Sequence, residues 1–174
     1  MAFDSTRRGL VGGCLCALAG FAAHPASAAA RPVIGRLSAP VQPACISSPF
    51  GRRKAAGPHA AAFHNGIDFP APEGALVHAA GSGKVLRVGR LDEFGLAVDL
   101  LHRDARGREF VTRYAHLGTI APALAEGAQT VTLGQPVGHV GRSGITYGTH
   151  VHFEVHVGGE PIDPAPFFNV PRCG

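Results

Sequence analysis

Short segments of apolar or alternating residues, separated by glycine-rich breaks, fill most of the chain beyond residue 45. The clearest is residues 150–157, where polar and apolar residues alternate without interruption up to a Gly-Gly pair. Such alternation predicts a half-buried strand whose inward positions are Val151, Phe153, Val155 and Val157. The same criteria predict strands at residues 76–79, 84–88, 96–101, 110–116 and 136–140, whereas residues 121–129 favour a helical turn. The pattern therefore predicts an all-β domain with open loops.

Composition agrees with one β-rich globular domain. The chain has 174 residues, enough for one ordinary domain, and 24 glycines and 14 prolines divide it into elements too short for a long-helix bundle. With 45% hydrophobic and 16% charged residues it can fill a core, which excludes general disorder. The net charge of +4 comes from scattered basic residues without a dense Lys/Arg block, so nucleic-acid binding is not expected.

The first 28 residues have the features of an export signal. Arg7 and Arg8 precede an uncharged apolar run at residues 10–23, and Ala26-Ser27-Ala28 forms a small-x-small cleavage pattern. The run is shorter than the roughly 20 residues of a membrane-spanning helix, so no stable membrane insertion is expected after cleavage near residues 28–30. The signal predicts a periplasmic or extracellular protein and leaves the Sec and twin-arginine routes both open.

Two cysteines remain after removal of the signal, and they lie near the two ends of the mature chain. Residues 29–44 are proline-rich and are interpreted as a lead-in, so that residues 45–174 form the predicted domain. Cys45 and Cys173 lie at its extremes, and an exported compartment permits their oxidation. The sequence therefore predicts a Cys45–Cys173 disulfide, with two free thiols as the alternative.

Two pairs of candidate metal ligands lie in separate parts of the chain. His150 and His152 are two residues apart on the predicted strand, so their side chains leave the same face, roughly 6.5–7 Å apart along the strand. His64 and Asp68 are too far apart to chelate on a straight strand, but Asn65-Gly66 predicts a turn or bulge that brings them together. Two imidazoles and one carboxylate with an open position are typical of catalytic zinc.

Together with Tyr114-Ala115-His116-Leu117, these segments resemble the signature of the lysostaphin/LytM-type zinc metallopeptidases, which are bacterial peptidoglycan endopeptidases. The resemblance extends from Ser48-Pro49-Phe50-Gly51 to Pro161-Ile162-Asp163-Pro164. It implies a single compact antiparallel β-sheet domain with long loops around a zinc groove, which hydrolyses peptidoglycan stem-peptide crosslinks by a metal-activated water. The residues it implies are the Zn2+ ligands His64, Asp68 and His152 and the catalytic histidines His116 and His150.

Three further residues are candidates for supporting roles. Glu154 lies on the same predicted strand face as the two histidines, where it either supports one of them or forms an exposed ion pair. Arg142 and Tyr147 lie in the glycine-rich stretch before that strand and are candidate substrate contacts. The division of roles between the two catalytic histidines, the cleaved bond and the oligomeric state stay open at this point.

Competing functions make different predictions. A cupin-like iron oxygenase would also use two histidines and a carboxylate, but it would leave His64 and Asp68 unexplained. A non-catalytic cell-wall-binding or hydrolase-activating module would have an incomplete site, whereas all five expected residues are present. A small exported structural domain would contain those five residues in the right order only by coincidence.

Overall fold

The protein is described by a computed structural model that covers residues 33–53 and 62–174. The predicted export signal, residues 1–28, lies outside the described residues. The strands of the described part are β1 (Gly51–Arg52), β2 (Phe63–His64), β3 (Ile67–Pro70), β4 (Leu76–His78), β5 (Gly83–Leu91), β6 (Gly95–Arg103), β7 (Glu109–Ile120), β8 (Thr130–Val131), β9 (Pro136–Val140), β10 (His150–Val157) and β11 (Glu160–Ile162). The helix α1 is Pro122–Ala125, and single 3-10 turns lie at Asp92–Phe94 and Ala165–Phe167.

One antiparallel sheet forms the body of the domain. Its strands follow the order β11-β10-β7-β6-β5-β8, with β3 also paired to β10 and with β9 paired to both β7 and β4. β1 and β2 form a separate two-stranded antiparallel pair. The predicted all-β fold is confirmed, each predicted strand segment contains a strand, and the predicted helical turn contains α1. No helix in the described part of the chain is long and apolar enough to cross a membrane.

Both faces of β10 are buried in the middle of the strand, whereas His150, His156 and Val157 at its ends are partly buried. Its fully buried apolar residues are Val151, Phe153 and Val155, as predicted. On the opposite face His152 is 6% exposed and Glu154 is 1% exposed, so the prediction of a half-buried strand is wrong. The alternating pattern correctly separates an apolar face from a polar one, but the polar face packs against other polar side chains instead of solvent.

The proline-rich lead-in packs against the sheet. Leu37 and Val41 are buried in the same core as the strand residues. The amide of Leu37 donates to the carbonyl of Phe167 over 2.9 Å. Residues 33–44 therefore belong to the packed body, which begins earlier in the chain than the predicted boundary at residue 45.

Cys45 and Cys173 form the predicted disulfide, with their Cα atoms 5.0 Å apart. The bond joins positions separated by 128 residues. In the chain-entropy model, a loop of about 100 residues contributes about 4.7 kcal/mol to stability by restricting the unfolded state. Beside the disulfide, the amide of Ile46 donates to the carbonyl of Pro171 over 3.0 Å, so a covalent and a backbone contact together fasten the two ends of the domain.

Candidate metal centre

A bulge places His64 and Asp68 side by side. His64 is opposite Gly51 and Asp68 is bridged to Ser48, both antiparallel, so the chain keeps its direction with one extra residue between them. Asn65 and Gly66, between the end of β2 and the start of β3, make this bulge, one of the two alternatives that the sequence predicts. His64 Nε2 consequently lies 3.1 Å from Asp68 Oδ1.

Gly66 also permits β3 to lie close against β10. A Cβ at position 66 would overlap the carbonyl oxygen of Phe153 and would lie 2.9 Å from Cε1 of His152. In the register that this close approach allows, Asp68 is directly opposite His152. The missing side chain at Gly66 thus sets the distance between the two candidate half-sites.

The three predicted metal ligands converge on one point. His152 Nδ1 lies 3.0 Å from His64 Nε2 and 3.0 Å from Asp68 Oδ1. The outer nitrogen of each ring faces an acceptor: His64 Nδ1 lies 2.8 Å from the carbonyl oxygen of Pro49, and His152 Nε2 lies 3.1 Å from Glu154 Oε1. A neutral ring that donates from its outer nitrogen directs the lone pair of its inner nitrogen at the centre, which is the form that binds a metal ion.

This donor set fits Zn2+. Two imidazole nitrogens and one carboxylate oxygen are a ligand pattern of catalytic zinc. Tetrahedral ligands at zinc bond lengths of about 2.0–2.1 Å lie roughly 3.3 Å apart. The three atoms here are 3.0–3.1 Å apart, and a cation among them would replace the repulsion of their lone pairs by attraction.

The Asp68 carboxylate is held in its charged form. Burial acts to raise the pKa of Asp68, but the contacts with His152 and His64 lower it well below its usual range. The other carboxylate oxygen faces a cation, since Arg53 Nη1 lies 3.6 Å from Asp68 Oδ2. Arg53 is itself held by Ser48, whose hydroxyl accepts from Nη1 over 2.7 Å.

His116 occupies a β-bulge in β7. The pairing of β7 with β6 shifts by one residue across this segment, and His116 has a φ of 59°. A left-handed conformation costs a residue other than glycine about 1–3 kcal/mol, and such residues cluster at functional sites. The strand predicted to end at residue 116 continues to Ile120, and its bulge brings the His116 ring centroid within 5.8 Å of that of His152.

Ser143 fixes the orientation of the His116 ring. His116 Nδ1 donates to the carbonyl oxygen of Ser143 over 2.9 Å, which leaves Nε2 free. The Ser143 hydroxyl in turn donates to the carbonyl of Leu117 over 2.6 Å and accepts from the amide of Leu96 over 2.8 Å. Burial lowers the pKa of His116 to about 4, so the ring is neutral at neutral pH and Nε2 can accept a proton.

His150 lies beside the same centre. Its Nε2 lies 3.6 Å from Asp68 Oδ1, and its ring centroid lies 5.1 Å from that of His116. Its Nδ1 lies 3.4 Å from the hydroxyl of Thr146, on the side away from the centre. Burial lowers the pKa of His150, so two neutral histidines flank the three converging atoms.

Glu154 supports a ligand and does not form an exposed ion pair. It is 1% exposed, and its carboxylate accepts from His152 Nε2 and, over 2.7 Å, from His156 Nε2. Burial acts to raise the pKa of Glu154, but these hydrogen bonds lower it to about 2. A charged carboxylate at this position favours the ring form of His152 whose Nδ1 lone pair faces the centre.

A groove of about 540 Å³ opens onto the centre. Its walls include Phe63, Ile145 and Tyr147, which are between 44% and 48% exposed. Exposed apolar walls around a polar centre suit a bound peptide chain. Of the two candidate substrate contacts, Tyr147 lines the groove, whereas Arg142 is exposed and is not among the described residues that line it.

Several supporting contacts were missed by reasoning from the sequence. Ser143 acts through its backbone carbonyl, which no residue type can signal. Arg53 lies in the segment similar to the family, but spacing does not reveal that it faces Asp68. Arg113 contacts Glu154, and Asp99 contacts Arg113, through the register of the sheet, which an alternating pattern does not specify.

Comparison with known proteins identifies relatives of the chain. The profile described as Peptidase family M23 matches residues 62–164. The DD-carboxypeptidase/endopeptidase Mpg of Neisseria meningitidis serogroup B is 40% identical over 119 residues, which are 68% of this chain and 26% of that protein. The peptidoglycan DD-endopeptidase ShyB of Vibrio cholerae is 38% identical over 100 residues, which are 58% of this chain and 22% of that protein. The chain thus spans about a quarter of the length of these relatives.

Solved structures agree with the sequence relatives. A zinc-containing peptidase from Vibrio cholerae is 35% identical with a TM-score of 0.60, covering 72% of this chain and 37% of that one. The catalytic domain of the antimicrobial peptidase lysostaphin from Staphylococcus simulans is 25% identical with a TM-score of 0.61, covering 71% of this chain and 91% of that one. Since the family profile also matches more than half of the sequence, the chain belongs to Peptidase family M23.

Proposed function

We propose that the protein is an exported zinc metallo-endopeptidase that hydrolyses peptide crosslinks of bacterial peptidoglycan. The observation that carries the proposal is the convergence of two imidazole nitrogens and one carboxylate oxygen beside two further histidines. His64, Asp68 and His152 are the proposed zinc ligands, and His116 and His150 are the proposed catalytic residues.

The chemistry of the centre divides between the metal and the protein. Bound zinc supplies a Lewis acid that lowers the pKa of water and polarises an amide carbonyl. His116 presents a free Nε2 because its Nδ1 is committed to the carbonyl of Ser143. His150 likewise presents Nε2, with Nδ1 facing the hydroxyl of Thr146.

The two histidines handle the protons of hydrolysis. When water adds to the amide carbon, one Nε2 accepts the proton that the water loses. That ring, then protonated, donates the proton to the amine as the carbon–nitrogen bond breaks, and the other ring can hydrogen-bond the developing oxyanion when its own proton is on Nε2. Both rings face the same centre, so either one has the geometry for either step.

The substrate proposal rests on the groove and on the relatives. The names of the relatives specify peptidoglycan DD-endopeptidase or DD-carboxypeptidase activity. A groove with exposed Phe63, Ile145 and Tyr147 beside the centre suits a peptide held on both sides of the cleaved bond. Peptidoglycan stem peptides are therefore the proposed substrates, and Tyr147 is a proposed contact.

Export is a further part of the proposal. Residues 1–28 are the proposed signal peptide, and the mature protein is placed in the periplasm or outside the cell. The Cys45–Cys173 disulfide supports an oxidising compartment, because disulfides are rare in reducing ones. The mass of the exported protein tests this directly, since it should correspond to a chain beginning near residues 29–31.

Digestion of purified sacculi by the exported protein tests the activity. We expect loss of crosslinked muropeptides, measured by mass spectrometry, that stops on chelation and returns when zinc is added. The fragment masses identify the cleaved bond. A zinc-loaded, folded protein that binds sacculi without cutting them would contradict the endopeptidase and support the alternative of a wall-binding or hydrolase-activating module.

A further inference from the structure

A row of alternating charges crosses the sheet and ends beside the metal centre. Arg87 on β5 is paired opposite Asp99 on β6, Asp99 is opposite Arg113 on β7, and Arg113 is opposite Glu154 on β10. The two carboxylates are buried, at 3% and 1% exposed. Opposite charges facing each other across strands stabilise a sheet. A row of this kind is unusual in a buried position, and its end residue contacts a proposed zinc ligand.

Arg113 is the central member of the row. Its Nε and Nη2 donate to the two oxygens of Asp99 over 2.8 and 2.9 Å, which is a bidentate contact. Its Nη1 donates to Glu154 Oε2 over 3.1 Å. The guanidinium therefore uses one edge to anchor on Asp99 and the remaining nitrogen to hold Glu154 in place.

Two routes connect Arg113 to His152. The first runs through Glu154, whose Oε1 accepts from His152 Nε2 while Oε2 accepts from Arg113. The second runs through Phe94, since the Arg113 guanidinium carbon lies 4.6 Å from the Phe94 ring centroid and that ring lies 5.7 Å from the His152 ring. One route fixes the edge of the imidazole and the other supports its face.

We propose that Arg113, anchored by Asp99, is a positioning residue that holds His152 in the orientation needed to bind zinc. The inference rests on the ligand set of the proposed function but not on the proposed activity. Without Arg113, Glu154 would lose a charged donor and Asp99 would be a buried carboxylate without its bidentate partner. Glu154 would then hold His152 Nε2 less firmly, and zinc affinity would fall.

Lysine is not an adequate replacement for this arginine. A guanidinium is planar and presents its donors in a fixed fork, whereas an ammonium group is a single point of charge. Lysine would keep the positive charge between the two carboxylates but lose the bidentate contact with Asp99 and the stacking on Phe94. Arg113→Lys thus separates the geometry of the contact from its charge.

Zinc affinity of the exported protein tests the proposal. The variants are Arg113→Met and Arg113→Lys, and the dissociation constant is measured by competition with a chromophoric chelator, with each metal-free variant verified as folded by circular dichroism. Removal of a group that supports a metal ligand typically weakens binding by roughly 10–100-fold, which is the loss expected for Arg113→Met. Arg113→Lys should lose several-fold in affinity, and the visible absorption of the cobalt-substituted protein should change in both variants.

Arg108→Lys is the matched control. Arg108 is 19% exposed and pairs with a buried carboxylate, Asp104 Oδ2, over 2.7 Å, much as Arg113 does with Asp99, but it is not among the described residues that line the groove. It should lose stability without losing zinc affinity. A zinc affinity that falls as much in Arg108→Lys as in Arg113→Lys would show a general effect of destabilisation and would overturn the proposal.

The outcomes separate this inference from the proposed function. A wild-type protein that binds no zinc contradicts the ligand set itself. A wild-type protein that binds zinc tightly, with Arg113→Lys within twofold of it and an unchanged cobalt spectrum, overturns only the role of Arg113. If Arg113→Met does not fold, Arg113→Lys decides the question by the same criteria.

Discussion

Two buried histidine networks lie in this domain, and they differ in the partners of their ring nitrogens. His102 Nδ1 donates to the carbonyl of Ser82 over 2.9 Å, and its Nε2 lies 2.8 Å from the hydroxyl of Thr112. The Thr112 hydroxyl also lies 3.3 Å from the hydroxyl of Tyr114. The Tyr114 hydroxyl accepts a hydrogen bond from the amide of Ala80 over 2.7 Å. Each ring nitrogen of His102 has a complementary partner, so this network is complete without any added group.

At the metal centre the inner nitrogens of His64 and His152 and the Asp68 oxygen lie 3.0–3.1 Å from one another. The outer nitrogens of the two rings face acceptors, whereas each inner nitrogen faces only the other ligand atoms. Burial of a histidine is therefore not what distinguishes a metal site. The distinguishing feature is the convergence of metal-binding atoms from three residues, with acceptors at the outer nitrogens of both rings.

Substitution at each network gives the sharpest test of this comparison. His152→Ala is expected to abolish stoichiometric zinc binding and, with it, cleavage of sacculi, because only two inner acceptors remain. His102→Ala should keep one zinc per chain and lose about 1–3 kcal/mol of stability, since it leaves buried hydrogen-bonding groups unpaired. Atomic absorption after dialysis measures the zinc, and equal zinc in wild type and His152→Ala would show that the metal binds elsewhere.

Within the centre, substitution of a catalytic histidine should separate zinc binding from catalytic turnover. His116→Ala is expected to retain zinc and to lose roughly 10²–10⁴-fold in kcat/KM, the typical contribution of a general acid or base. His139→Ala is the control, because His139 is paired only with Thr119 among the described contacts and is not a groove residue. Muropeptide release at several substrate concentrations measures the effect, and normal activity of His116→Ala would refute its role.

Zinc should stabilise the fold through one network and not the other. A ligand at 1,000 times its dissociation constant stabilises a folded protein by about 4 kcal/mol. We expect a shift of that size in the urea unfolding of wild type and of His102→Ala on adding zinc, and none in His152→Ala. A zinc-dependent shift that persists in His152→Ala would contradict the assignment of the ligands.

The smallest expected effect concerns pH. Burial lowers the pKa of His102 below its ordinary value of 6.5, so the folded state binds fewer protons there than the unfolded state. The contribution of the neutral His102 ring to the free energy of unfolding is complete above pH 6.5. It is lost as the pH falls below 6.5 toward the lowered pKa. The free energy of unfolding of the zinc-saturated protein, measured in urea at several pH values, should therefore fall more steeply with decreasing pH for wild type than for His102→Gln. Parallel curves would rule out His102 as a source of the pH dependence.

Much of the fold follows from local pattern. Alternating and glycine-bounded segments predict β4, β5, β6, β7, β9 and β10 because the side-chain period of a strand is visible in the sequence. The pattern assigns residues to faces but does not say what covers each face. For that reason the burial of His152 and Glu154 on the polar face of β10 was missed.

The parts of the site that could be predicted are those that residue type and spacing in the sequence indicate. The sequence predicts a turn or bulge at Asn65-Gly66; the structure has the bulge, and it brings both pairs together as expected. The bulge at His116 has no such signal, because its left-handed φ arises from the pairing of β7 with two neighbours. The catalytic roles of His116 and His150 stay predictions until the variants are measured.

The close approach at Gly66 has a consequence for how the protein tolerates mutation. Gly66 is buried, and any side chain at this position would press on the backbone of β10 and on the ring of His152. A single methyl group would therefore push β3, which carries Asp68, away from the strand that carries His152. A saturation library of the domain should accordingly reject even alanine at position 66, although alanine is small and apolar.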